Sequence, residues 1–123
     1  MEEALTTAQA TREEAVKAEL DARINKVFGK FDPPANMIGT PYIYYILHII
    51  EPDSKMEDLY AIVAEENGVK PSYVKYNIRS AIGRIWDDHT AEELAQLYPF
   101  PIKQGKDRLT NAEFLKNLES LLR

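Results

Sequence analysis

Val16, Leu20, Ile24, Val27, Phe28 and Phe31 recur at helical spacing, and Gly29 offers a stop near the end of that pattern. The spacing predicts a first helix from about Thr7 to Phe28. Its first two turns carry no apolar stripe, so residues 1–11 are expected to fray or to be held by a partner chain. The stretch FDPPANMIG breaks the helix, because paired prolines cannot continue the backbone ladder. Thr40 followed by Pro41 predicts a restart, with the proline at the first helical position. The segment PYIYYILHII that follows is apolar almost all round, so it is expected at the centre of the core, ending before Pro52. Ser54 with Glu57, Thr90 with Glu93 and Thr110 with Glu113 each match a capping box, which predicts three further helix starts. Pro71 opens one more segment, with Val74, Ile78, Ala81, Ile82 and Ile85 on one face. No stretch alternates with period two, although FPIKQGKDRL leaves room for a short extended piece. These patterns predict an all-α fold of about six helices. Residues 1–20 form a helical extension, and residues 21–123 form the domain proper.

The two central helices have the constraints of a helix-turn-helix. Leu59, Tyr60 and Val63 supply a packing face, and Ala64 is small enough for close approach of the second helix. Gly68 suits a turn needing positive φ, Val69 plugs the corner, and Val74 packs the second helix back. The next apolar position would fall at Asn77, and Ile78 supplies it one residue late. At about 100° per residue, Ser72, Tyr73, Tyr76, Arg79, Ser80 and Gly83 lie opposite the apolar stripe, with Lys75 and Arg84 on its flanks.

Charge makes that face stand out. The chain has 123 residues and a formal net charge of −5, yet Lys70 to Trp86 contains no acid. Lys70, Lys75 and Arg84 are placed to meet phosphates. Arg79 is placed for a forked contact to a guanine edge, and Tyr73 and Tyr76 to meet phosphate or a thymine methyl, with Ser72 and Ser80 on the same hydrogen-bonding face. Lys103, Lys106 and Arg108 add a second phosphate clamp in a loop. The same residues also suit a protein-interaction module of this fold, since tyrosine favours interfaces of many kinds.

Other chemistry finds little support. The absence of cysteine excludes disulfides and thiolate metal sites and fits a cytoplasmic protein. Two histidines provide no ligand cluster, and His48 reads as a hydrogen-bonded core residue. Carboxylates adjacent in sequence, such as Glu65 and Glu66, diverge on a helix and make poor acid–base dyads. No enzymatic activity, cofactor or metal is expected. The N-terminus is unlike a signal peptide, and the longest apolar run is too short to span a bilayer.

LYAIVAEENGVKPSYVKYNIRSAIGRIW, followed by LTNAEFLKNLESLLR, resembles the DNA-binding effector domain of the stage-zero sporulation response regulators. The similarity extends upstream through DARINKVFGKFDPPANMIGTPYIYYIL, and so covers roughly residues 21–123. It implies a six-helix transcription factor domain that reads duplex DNA through residues 71–86 and pairs head to tail on tandem sites. It also implies contact of the region after the recognition helix, here DDHTAEELAQLY, with a sigma subunit of RNA polymerase. The N-terminal helix is a second candidate for pairing two copies. The family's receiver domain has no counterpart in the residues before 21, so phosphorylation within this chain is not expected to be the switch. Where the family has arginine, glutamate, arginine, arginine and histidine, this chain has Tyr73, Lys75, Tyr76, Arg79 and Ser80. Only Arg79 keeps its type, so a different target sequence is expected.

Overall fold

A computed structural model describes the backbone of residues 2–101 and 109–123, with side chains from residue 11 onward in those ranges. Six α-helices follow one another: α1 Glu2–Phe28, α2 Gly39–Ile49, α3 Met56–Asn67, α4 Pro71–Asp88, α5 Ala91–Leu97 and α6 Asn111–Leu121. A 3₁₀ turn, Gly29–Phe31, closes α1. Asp32 then adopts a left-handed conformation (φ 50°), which aspartate tolerates better than most residues, and the two prolines follow.

Helix α1 begins at Glu2, earlier than the apolar pattern predicts, because this stretch is rich in alanine and glutamate, which favour helix without needing burial. Residues 11–19 are all exposed. Val16 is 66% exposed and does not join the core that its spacing suggests. The buried part of α1 runs from Ile24 to Phe28, and Phe31 of the 3₁₀ turn continues it.

Helix α2 is buried or half-buried along almost its whole length, as its composition requires. Its start differs from the expected one. Thr40 is not the cap: it is buried, and its hydroxyl donates to the Pro34 carbonyl at 2.6 Å. The helix begins two residues earlier, at Gly39, which leaves Pro41 in the first turn, where a missing N–H costs nothing. His48 is half-buried rather than in the core, and it bonds both the Tyr44 carbonyl and the Asp21 carboxylate, tying α2 to α1.

Of the three expected capping boxes, one forms completely. The Thr90 hydroxyl accepts from the Glu93 amide, and the Glu93 carboxylate accepts from the Thr90 amide. These bonds hold the Glu93 carboxyl below the usual carboxylate range, so the box stabilises α5 above that range and weakens as pH falls through it. Thr110 caps α6 by accepting from the Glu113 amide, but Glu113 meets the hydroxyl of Thr110 rather than its amide. Ser54 does not cap α3. Its hydroxyl turns back to accept from the Glu51 amide, so the helix starts after Lys55. Lys116 of α6 then donates to the Glu51, Pro52 and Ser54 carbonyls, satisfying the loop from outside.

The core centres on Phe114 of α6, which is fully buried. Its ring lies 6.1 Å from Phe28, 5.7 Å from Phe31, 5.6 Å from Trp86 and 6.1 Å from Tyr98, mostly edge to face. Helices α1 and α4, the 3₁₀ turn and the end of α5 therefore meet on one side chain. Trp86, half-buried, also stacks on Phe31.

Candidate nucleic-acid interface

The turn between α3 and α4 is a Schellman closure. Val69 N–H donates to the Ala64 carbonyl at 3.0 Å and Gly68 N–H to the Glu65 carbonyl at 3.4 Å, with Gly68 at φ 63°. These bonds satisfy the last carbonyls of α3 and redirect the chain into Lys70 and Pro71, which starts α4. Leu59, Tyr60, Val63 and Ala64 of α3 are buried, as are Val74, Ile78, Ala81, Ile82 and Ile85 of α4, and the two helices pack on each other. The helix-turn-helix read from the sequence is thus formed.

The one-residue lateness of Ile78 has a physical reason. Ile78 is fully buried, whereas Asn77 is half-buried and donates its amide to the Tyr73 carbonyl. The backbone of Asn77 is where Gly39 of α2 approaches α4: a Cβ at Gly39 would lie 2.0 Å from the Asn77 carbonyl oxygen. No apolar side chain at 77 is needed where a helix backbone seals the contact. Gly39 was invisible to the sequence pattern, since only the contact identifies it.

Of the expected contact residues, Lys70, Ser72, Tyr73, Lys75, Tyr76, Arg79 and Arg84 are exposed and Ser80 is half-buried. Tyr73 is 47% and Tyr76 69% exposed. Gly83, expected on the exposed face, is buried instead, because the packed face of α4 widens towards its C-terminus. Arg84 is held along its own helix by Asp88, with Nε 3.0 Å from both carboxylate oxygens. Lys70, Lys75 and Arg79 form no ion pair with any described residue. Lys103, Lys106 and Arg108 lie outside the described residues, as does most of the expected extended piece.

The exposed face divides in two. Val69, Lys70, Ser72, Tyr73 and Tyr76 line an open, largely apolar surface at the start of α4. Lys75 and Arg79 border a cleft of about 410 Å³ whose other walls include Glu57, Tyr60 and the start of α6.

At the base of that cleft sits a residue the sequence did not single out. Asn111 is 7% exposed; its amide donates to the Tyr60 hydroxyl at 3.2 Å and to the Lys75 carbonyl at 3.0 Å. One side chain therefore joins α3, α4 and α6 behind the exposed cations. Burial, with some help from Glu57, pushes the Tyr60 phenol up despite the Asn111 bond, so it remains neutral at ordinary pH. The Asn111 side-chain oxygen is buried without a partner among the described residues. Asn111→Ala is expected to lower stability by about 2 kcal/mol, the order of losing two buried hydrogen bonds. Urea denaturation measures it, and a loss below about 0.5 kcal/mol would contradict the tie.

Residues 24–122 match the family described as Sporulation initiation factor Spo0A C terminal. The chain belongs to that family. The match spans α2 to α6 and the buried end of α1, and leaves out most of α1. The family is one of DNA-binding effector domains rather than enzymes, and the all-helical fold agrees with it. Among the described residues, no helix is long and apolar enough to cross a membrane.

Proposed function

We propose that this Spo0A C-terminal family domain is a transcriptional regulator that inserts α4 into the major groove of duplex DNA. Residues 21–123 form the binding domain and residues 1–20 a helical extension. The carrying observation is that Lys70, at the N-cap, and Lys75 and Arg79, on the second helix of a closed helix-turn-helix, stand exposed and without carboxylate partners among the described residues, in a chain of net charge −5. An α-helix fits the major groove, and phosphate contacts fix its register while base edges supply the reading.

The cations divide the work. Lys70 and Lys75 take phosphates and Arg79 takes a guanine edge. Tyr73 and Tyr76 take phosphate oxygens through their hydroxyls or thymine methyls through their rings. Arg84 is the weaker candidate, since Asp88 already occupies its guanidinium. Ser72 and Ser80 complete the hydrogen-bonding set.

Substitution separates these roles. Arg79→Ala is expected to cost about 1–3 kcal/mol on the preferred site and to relax selectivity at one base position. Lys75→Ala is expected to weaken all duplexes alike and to reduce the salt slope by about 0.9. Fluorescence anisotropy on matched and mismatched duplexes distinguishes the two. If both variants bound every duplex as the parent does, α4 would not be the reading element. The exposed tyrosines would then favour docking of another regulator on this face.

A further inference from the structure

A second acid-free basic stretch lies outside the α4 face. Ala22 to Phe31 contains Arg23, Lys26 and Lys30 and no carboxylate, although the chain as a whole is acidic. In the fold these three residues line a cleft of about 400 Å³ together with Arg123. Val27, Leu121, Leu122 and Pro99 give that cleft an apolar lining. No residue of this cleft belongs to the α4 face.

The two arginines are fixed and the two lysines are not. Arg23 is held by Glu19 at 2.8 Å and reaches the Leu122 carbonyl at 3.4 Å. Arg123 is held by the nearly buried Glu119 at 2.7 Å. Lys26 and Lys30 form no ion pair or hydrogen bond with any described residue. Basic side chains near helix ends often serve the last carbonyls of the helix. Lys116 shows what that service looks like in this protein, donating to three loop carbonyls. Lys26 and Lys30 donate to none, so capping does not account for them.

From the free lysines above apolar walls we infer that this cleft docks an acidic segment of a partner protein, one that places an apolar side chain between flanking carboxylates. Complementary charge favours the carboxylates. The apolar lining favours a peptide over phosphate, which has nothing to place against Val27, Leu121 and Leu122. The lysines meet the carboxylates, and the paired arginines form a fixed wall. This surface is independent of the DNA reading, so either can fail alone.

The test uses the full chain and a short fluorescein-labelled peptide with leucine flanked on both sides by aspartate and glutamate. Anisotropy is expected to show saturable binding that weakens about tenfold or more in the Lys26→Glu, Lys30→Glu double variant. Replacing the leucine by glutamate is expected to weaken binding several-fold. Both lysines are exposed, so thermal stability and DNA affinity should stay at parent values, which separates docking from folding. Equal binding of the all-acidic peptide, or competition by inorganic phosphate, would reduce the cleft to a general anion patch and overturn the inference. So would unchanged binding in the double variant. Self-association in light scattering that the double variant abolishes would assign the cleft to a second copy instead.

Discussion

Phe114→Ala should lower stability by about 4 kcal/mol, the largest effect expected of any single truncation in this protein. Phe114 is fully buried, and its ring meets Phe28, Phe31, Trp86 and Tyr98. Removing it takes away the one group on which three helices and the 3₁₀ turn converge, and the surrounding rings cannot close the space without leaving their own contacts. In a domain of this length, the loss corresponds to a fall in melting temperature of roughly 15 °C. Trp86 is the only tryptophan and sits against Phe114, so its emission reports the same event. Calorimetry and Trp86 fluorescence should therefore shift together. A stability loss below about 1 kcal/mol would mean that the aromatic cluster is not the structural centre.

Gly39→Ala is expected to cost about 3 kcal/mol and to weaken DNA binding as well. The added Cβ would lie 2.0 Å from the Asn77 carbonyl oxygen, 2.6 Å from its carbonyl carbon and 2.9 Å from the Ala81 Cβ. Two of these are backbone atoms of a helix and cannot turn aside, so α2 and α4 must separate by roughly an ångström. Because α4 is the proposed reading helix, the displacement reaches Tyr76 and Arg79 directly. Ala81→Gly in the same chain should give no rescue, since it removes only the third contact. A stable Gly39→Ala variant with parental duplex affinity would show that the two helices can part freely, contrary to the packing described.

Residue periodicity made the helices legible, because burial on one face leaves a repeating mark. The face of α4 with Val74, Ile78, Ala81, Ile82 and Ile85, and the Gly68 turn, were read correctly for that reason. The misreadings fall where a side chain had two partners to choose between. Ser54 and Thr40 suit helix caps, yet each bonds backward into its loop, to the Glu51 amide and the Pro34 carbonyl. Val16 follows the helical repeat but precedes the buried part of α1, which starts at Ile24. Gly39 and Asn111 carry no periodic mark at all. Their roles arise from contacts across 38 and 36 positions of sequence, to Asn77 and Lys75 respectively. On the candidate interface, the sequence located the exposed cations but not the Arg84–Asp88 pair, which divides them into free and engaged.

In the proposed reading, Lys70 and Lys75, which have no ion-pair partner among the described residues, bind duplex phosphate while Arg79 reads sequence. Selection from a random duplex pool, followed by titration of the recovered duplex against salt, tests it most directly. A defined site should be recovered, with log affinity falling by roughly 2 to 3 per log unit of salt from Lys70 and the cations of α4. Arg79→Ala should recover a more degenerate site. Failure to retain any duplex from the pool, or binding indifferent to salt, would contradict the reading.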